Sequence, residues 1–275
     1  MPGPLLAKTT FFKVLNNMAF PNFKNKHAND SMFSPKDYLD YQKKREKYDK
    51  FNPPEGVIFC YSKKLMEYVL ENHKTTNVRR FHGEMYLLGE TKNKVAIVGK
   101  FGIGAPIVVT LLEELIAFGV KRFISIGTAG TLQKNLKVGD LIVCEKAIRD
   151  EGTSYHYLKP SKYAYASKEM TGRIKNALDV LGQKYLVGTS WTIDAPYRET
   201  VAEARQYQKE GVATVEMEAS ALFAVAQFRK VEIGAIFTVS DSLAELQWTP
   251  NFHFKKTQGG LETLYKVALF ALLEK

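Results

Sequence analysis

The sequence predicts an α/β fold: one domain with a mixed, mostly parallel central sheet flanked by helices on both faces. Three observations carry this. Apolar runs of strand length recur from Gly56 onward, amphipathic stretches of helix length alternate with them, and glycine or proline marks many of the junctions. Residues 1–55 lack that alternation. Asn, Lys, Asp, Phe and Tyr crowd there around Pro21, Pro35, Pro53 and Pro54. They read as an N-terminal arm, with residues 56–275 as the domain, because the arm has too little apolar periodicity for a core of its own.

Within the arm, Asp37 to Tyr48 reads as a polar helix. Gly56 to Tyr61 is an apolar run, the pattern of a strand covered on both faces. Lys63 to Asn72 places Leu65, Met66, Val69 and Leu70 at helical spacing. Met85 to Gly89 and Lys94 to Gly99 read as paired strands around a polar turn. Pro106 opens a helix that Gly119 closes. Arg122 to Ile126 and Asp140 to Cys144 are strands, Glu169 to Leu181 a helix, Tyr185 to Thr192 a strand, and Thr200 to Glu210 a helix stopped by Gly211. Val212 to Val215, the Ala-rich helix Glu218 to Phe228, the strand Val231 to Val239 and the helix Leu261 to Lys275 complete the order.

Of the 275 residues, 45% are hydrophobic and 25% charged, which suits a chain that buries one large core in water. No run reaches the roughly 18 apolar residues of a membrane helix. Met1 to Phe20, broken by Lys8, Lys13, Asn16 and Asn17, does not read as a signal peptide. Cys60 and Cys144 lie in apolar runs and read as buried thiols, which points to a reducing, cytoplasmic setting and away from a disulfide framework. The net charge of +10 is scattered, with no basic stripe interleaved with aromatics, so no nucleic-acid partner is expected. No residue cluster has metal-ligand spacing, and neither a metal nor an organic cofactor is expected.

Ligands of open α/β sheets collect where strands end, so the residues after each strand are the candidates. Gly102 and Gly104, before a helix start, suit the close approach of an anion, and equally suit a plain turn. Ile126 to Gly130 brings Thr128, whose hydroxyl can meet phosphate or ribose, or simply pack in a tight turn. Glu216, Met217 and Glu218 offer carboxylates for vicinal hydroxyls and an apolar surface for a sugar; as first-turn charges the two glutamates also suit a helix start. Asp241 is a general acid or a helix N-cap. Trp191 and Trp248 read as core aromatics ahead of pocket aromatics, and His27, His73, His82 and His253 as structural or surface residues.

Together these segments resemble the nucleoside phosphorylase family, which includes uridine phosphorylases, hexameric purine nucleoside phosphorylases and related nucleosidases. The resemblance runs from about residue 84 to 245. It rests on Gly102-Ile103-Gly104-Ala105-Pro106, on Ile126 to Gly130 followed by Val138-Gly139-Asp140, and on Val215-Glu216-Met217-Glu218. It implies phosphorolytic cleavage of a purine or uridine nucleoside to free base and (deoxy)ribose 1-phosphate, with phosphate as co-substrate. It further implies that Glu218, with Met217 and Glu216, holds the ribose, and that Gly104 and Thr128 lie at phosphate and ribose, with Arg80, from a neighbouring subunit, the phosphate cation this chain would offer. Tyr197 and His156 would lie at the base, and Asp241 and Arg198 would assist its departure. A homo-oligomer, dimer or hexamer, is part of the same implication. Asp241 points to purines, and the segment from Asp150 to His156 to uridine-type relatives.

Two departures stand out. The family usually carries Gly-Asp-Pro and a nearby Arg after the first strand, where this chain has Cys60-Tyr61-Ser62-Lys63-Lys64, and an Arg where this chain has Ser125. Lys63, Lys64, Lys100, Arg79 or Arg80 would have to replace those cations. The alternative functions are a hydrolytic nucleosidase and a non-catalytic nucleoside-binding protein.

Overall fold

A computed structural model describes residues 20, 21, 23, 25–45 and 52–274, the side chains of Arg45, Arg79 and Arg80 excepted. The strands are β1 Gly56–Cys60, β2 Thr75–Phe81, β3 Gly83–Leu88, β4 Val95–Gly99, β5 Arg122–Thr131, β6 Leu141–Asp150, β7 Tyr163–Tyr165, β8 Leu186–Ile193, β9 Thr214–Glu216, β10 Glu232–Ser242 and β11 Thr249–Pro250. The helices are α1 Pro35–Arg45, α2 Lys63–Asn72, α3 Ala105–Phe118, α4 Lys168–Val180, α5 Val201–Lys209, α6 Ala219–Arg229 and α7 Lys255–Leu273. All strands join one mixed sheet. Its centre, β4-β1-β5-β10, is parallel, while β2, β3, β6, β7, β9 and β11 add antiparallel pairs around it. Parallel strands need cover on both faces, and β1 and β4 are buried at every residue for that reason.

On one face, α3 and α6 pack over Val57, Phe59 and Phe123. Ala219, Ala221, Ala224 and Ala226 keep α6 thin enough to lie close to α3 and the sheet. On the other face, α2, α4 and α7 cover Ile58, Ile97, Ile124 and Ile236. The arm helix α1 packs against α3. It starts two residues before the expected Asp37, and residues 46–48 of the expectation lie outside the described residues.

Two differences from the sequence reading bear on the site. The first is β2, an edge strand absent from the expected order. Of Thr75 to Phe81 only Val78 and Phe81 are apolar, so no apolar run announces it. The second is the length of β5 and β10. Ile126 to Gly130 and Ser240 to Ser242 were expected as loops after the strands, yet β5 and β10 stay paired through Thr131 and Ser242. Backbone pairing continues past the apolar run because it needs no particular side chain. A shift in register at Ser240 then sets Asp241 opposite Gly130. Glycine suits that position, since a Cβ there would stand 2.9 Å from Asp241 Oδ2 and 2.8 Å from Leu243.

Candidate active site

The four segments meet at the strand ends: Gly104 bonds Glu218, and Gly130 lies opposite both Val215 and Asp241. After β4 the chain turns through Gly102 and Gly104, with φ of 94° and 100°, values that favour glycine. The Gly104 N–H then donates to Glu218 Oε1 at 2.6 Å. A Cβ on Gly104 would touch Met217 Cε at 4.0 Å, so Met217 lies beside this turn, half-buried. Residues more than a hundred apart in sequence are joined here by one charge-assisted hydrogen bond. Glu218 is 8% exposed; burial and the neighbouring Glu216 raise its carboxyl above the usual range, against the Gly104 bond. A ligand whose hydroxyls donate to this carboxylate would stabilise its charged form.

Glu216 and Glu218 divide two tasks that sequence reading assigned to both. The Glu216 carboxylate accepts from Thr192 Oγ1 at 2.6 Å, Ser190 Oγ at 3.2 Å, and the backbone N–H groups of Glu218 and Ala219 at 2.9 and 2.7 Å. Four donors fill its acceptor sites, so the expected contact of Glu216 with ribose does not hold. It ties β8 to the start of α6. The helix-start role belongs to Glu216, while Glu218, at the N-cap position itself, makes no side-chain cap bond. Glu216→Ala would leave two backbone N–H groups and two hydroxyls without their acceptor, at a cost of about 3 kcal/mol or more. For a chain of this size that lowers Tm by about 6–12 °C. Thermal unfolding checks this, and an unchanged Tm would refute the tie.

Gly104 was expected beside phosphate and ribose; its own N–H is taken by Glu218. Thr128 is half-buried and, among the described residues, its hydroxyl has no protein partner, which leaves it open to a ligand. Where two cations were sought, Tyr61 and Ser125 share a hydrogen bond of 3.1 Å. The Tyr61 ring lies against Gly127 and edge-on to Phe101, with centroids 5.2 Å apart. Burial and the nearby Glu218 push the Tyr61 phenol well above its usual range. Lys63 and Lys100 are exposed and paired with Glu67 and Glu84, at 3.7 and 2.9 Å. Arg79 and Arg80 stand on β2, their side chains outside the described residues.

Asp241 is neither loop nor N-cap: it lies within β10, 7% exposed, and burial raises its carboxyl above the usual range. Ser240 Oγ donates to Oδ1 at 2.7 Å and Trp248 Nε1 to Oδ2 at 3.0 Å. Trp248, expected in the core, is 63% exposed; Trp191 is fully buried, as expected. Glu199, which the sequence did not single out, faces Asp241 and is raised to about 7, first by burial and then by Asp241.

Tyr197 is 99% exposed, and Arg198 is exposed without a side-chain partner among the described residues. Their short turn, Pro196–Arg198, has no buried residue. His156 sits half-buried in the turn Thr153–His156, its Nδ1 buried without a partner. Phe20 of the arm packs edge-on against it at 5.5 Å. Glu151 accepts from Ser220 Oγ at 3.0 Å and from the Ser154 N–H at 2.9 Å, which anchors this turn to α6. His73 and His82 have acidic partners, Glu90 and Glu114. Among the described residues no acidic, His and Cys cluster could hold a metal ion, and no helix is long and apolar enough to cross a membrane.

Comparison with known proteins agrees with this geometry. A uridine phosphorylase of Thermococcus kodakarensis is 31% identical over 167 residues, 55% of this chain and 59% of that protein. A guanosine phosphorylase of Halorubrum lacusprofundi is 32% identical over 142 residues, again 59% of its length. The chain thus spans less than two thirds of these two relatives. A DeoD-type purine nucleoside phosphorylase of Caldanaerobacter subterraneus is 32% identical over 201 residues, 71% of this chain and 84% of that one. The crystal structure of a Toxoplasma gondii purine nucleoside phosphorylase shares the fold, with a TM-score of 0.69 at 22% identity over 80% of this chain and 90% of that one. That of a Vibrio fischeri uridine phosphorylase gives 0.66 at 25% identity over the same shares. The family model described as phosphorylase superfamily matches residues 57–268. Since that span runs from β1 into the last helix and includes both partners of the Gly104–Glu218 bond, the chain belongs to the phosphorylase superfamily.

Proposed function

We infer that the protein is a nucleoside phosphorylase, cleaving the N-glycosidic bond of a purine or uridine nucleoside to free base and (deoxy)ribose 1-phosphate. The observation that carries this reading is the Glu218 carboxylate, held by Gly104 at the meeting of two strand ends with Met217 alongside. Its remaining acceptor sites suit the two adjacent hydroxyls of a ribose, and Met217 suits the sugar's apolar surface. As the bond from C1′ to the base nitrogen breaks, the sugar becomes positive at C1′. A phosphate oxygen forms the new bond to C1′ from the opposite face, and Asp241 supplies the proton that leaves with a purine. Thr128 meets phosphate or ribose with its free hydroxyl. Arg80 is the proposed phosphate cation, supplied across a subunit boundary. No metal or organic cofactor takes part in this scheme.

The assembly proposed is a homo-oligomer, dimer or hexamer. Met32 at 103% and Phe33 at 74% exposure support it, since large apolar side chains on an arm suit an interface. The free, buried thiols Cys60 and Cys144 support a cytoplasmic setting.

The test is incubation with inosine, adenosine and uridine, with and without phosphate. Base release that requires phosphate is expected. Release at the same rate in its absence would replace the reading by a hydrolase, a reading the Tyr61–Ser125 pair in place of cations keeps worth testing. Binding without release would leave a nucleoside-binding protein.

A further inference from the structure

After β10 the chain makes a tight turn and comes back as β11, which pairs Asp241 with Pro250 and Ser242 with Thr249. The turn is held by the Leu246 N–H on the Leu243 carbonyl at 2.8 Å, by Gln208 Nε2 on the Ala244 carbonyl at 3.0 Å, and by the ion pair of Lys134 with Glu245 at 2.8 Å. Leu246 has a φ of 59°, a left-handed conformation that a leucine adopts only at a cost. The result is a large aromatic side chain, Trp248, in an unusual place. It is 63% exposed, its ring is 6.3 Å from Phe252, and its indole N–H ends on Asp241 Oδ2 at 3.0 Å. Core packing does not explain that position; the hydrogen bond does.

We propose that Trp248 is a positioning residue for Asp241: its indole N–H holds the carboxylate in the unliganded site and yields it when a base enters. The proposal rests on the reading of Asp241 as the acid at the base end. Ser240 occupies Oδ1 and Trp248 occupies Oδ2, so the carboxylate is aimed and has a donor on each oxygen. Donors on a carboxylate favour its charged form, and burial favours the neutral one. Trp248 therefore opposes the protonation that proton donation to a purine requires, until ligand displaces it. Among the described residues, these charged groups stand around Asp241. Glu199 faces it, Glu203 of α5 stands close to Glu199, and Glu245 of the turn is paired with Lys134. From the neighbouring strands β5 presents Gly130 and β11 presents Pro250, both uncharged.

Trp248→Phe in the full chain keeps a ring and removes the N–H. The residue is exposed, so the fold is retained. With the donor gone, the Asp241 carboxyl holds its proton to higher pH, and the alkaline limb of kcat/KM for a purine nucleoside moves up by about half to one pH unit. A profile that superimposes on that of the parent overturns the proposal, even if kcat falls. A second readout does not depend on turnover. The protein has two tryptophans, Trp191 fully buried and Trp248 63% exposed, and Trp248→Phe separates their contributions to its emission. Titration with adenine or hypoxanthine should change that emission, and the change should vanish in Trp248→Phe. If the parent protein cleaves no nucleoside, the functional reading fails, while flat emission in this titration overturns the role of Trp248 independently.

Discussion

Glu218→Gln is expected to lower kcat/KM for a ribonucleoside by about two to four orders of magnitude. Hydrogen bonds to a charged group contribute roughly 1.5–3 kcal/mol each. Two of them, to adjacent hydroxyls, come to roughly 3–6 kcal/mol, and each 1.4 kcal/mol is about tenfold in rate. Glutamine keeps the size of the side chain and an oxygen for the Gly104 N–H, so the turn through Gly102 and Gly104 survives. The comparison that isolates the sugar contact is a 2′-deoxynucleoside. It lacks one of the two hydroxyls, so the same substitution should cost it about half as many orders of magnitude. Steady-state kinetics of both substrates on both proteins decide it. Equal losses would place Glu218 in the framework of the turn and not on the sugar.

Asp241→Asn should lower purine nucleoside cleavage by about 10²–10⁴-fold, the range of positioned proton transfer, and leave uridine cleavage far less affected. Asparagine keeps the shape of the side chain and one acceptor oxygen, which can hold the indole N–H of Trp248, while the Ser240 hydroxyl can turn to accept from its NH2, so the change removes the acid with little disturbance of its partners. The pH dependence has a definite sign. Proton donation needs the neutral acid, and burial raises the Asp241 carboxyl above its usual range, so purine cleavage extends to higher pH than an exposed aspartate would allow and falls as the group ionises. In Asp241→Asn that alkaline fall attributable to residue 241 disappears. Equal losses for purine and pyrimidine nucleosides would remove Asp241 from the acid's role.

Why Glu216 and Glu218 cannot be told apart in the sequence is instructive. Both flank Met217 at the end of a short strand, with the same charge and the same proximity to a helix start. Their difference comes from what the fold brings to each. Thr192 and Ser190 of β8 reach Glu216, and the Gly104 turn after β4 reaches Glu218. Trp248 teaches the same lesson at a distance of seven residues. Its bond to Asp241 exists because β11 folds back along β10, and two residues of edge strand leave no periodic trace. The resemblance sets Tyr197 and Arg198 at the base, and in the unliganded chain both side chains are exposed.

By itself the sequence determined the α/β class, the order of most strands and helices, and the segments that hold Gly104, Thr128, Glu218 and Asp241. These are local properties: burial on two faces writes an apolar run, a half-covered helix writes a 3.6-residue period, and positive φ selects glycine. Tertiary structure alone decided which carboxylate stays open, how far β5 and β10 run beyond their apolar cores, and what stands on Asp241. Those depend on hydrogen bonds that the fold creates, across 114 residues for Gly104 and Glu218 and across a returning edge strand for Asp241 and Trp248, and a hydrogen bond to a backbone N–H or an indole leaves no pattern in either partner's own neighbourhood.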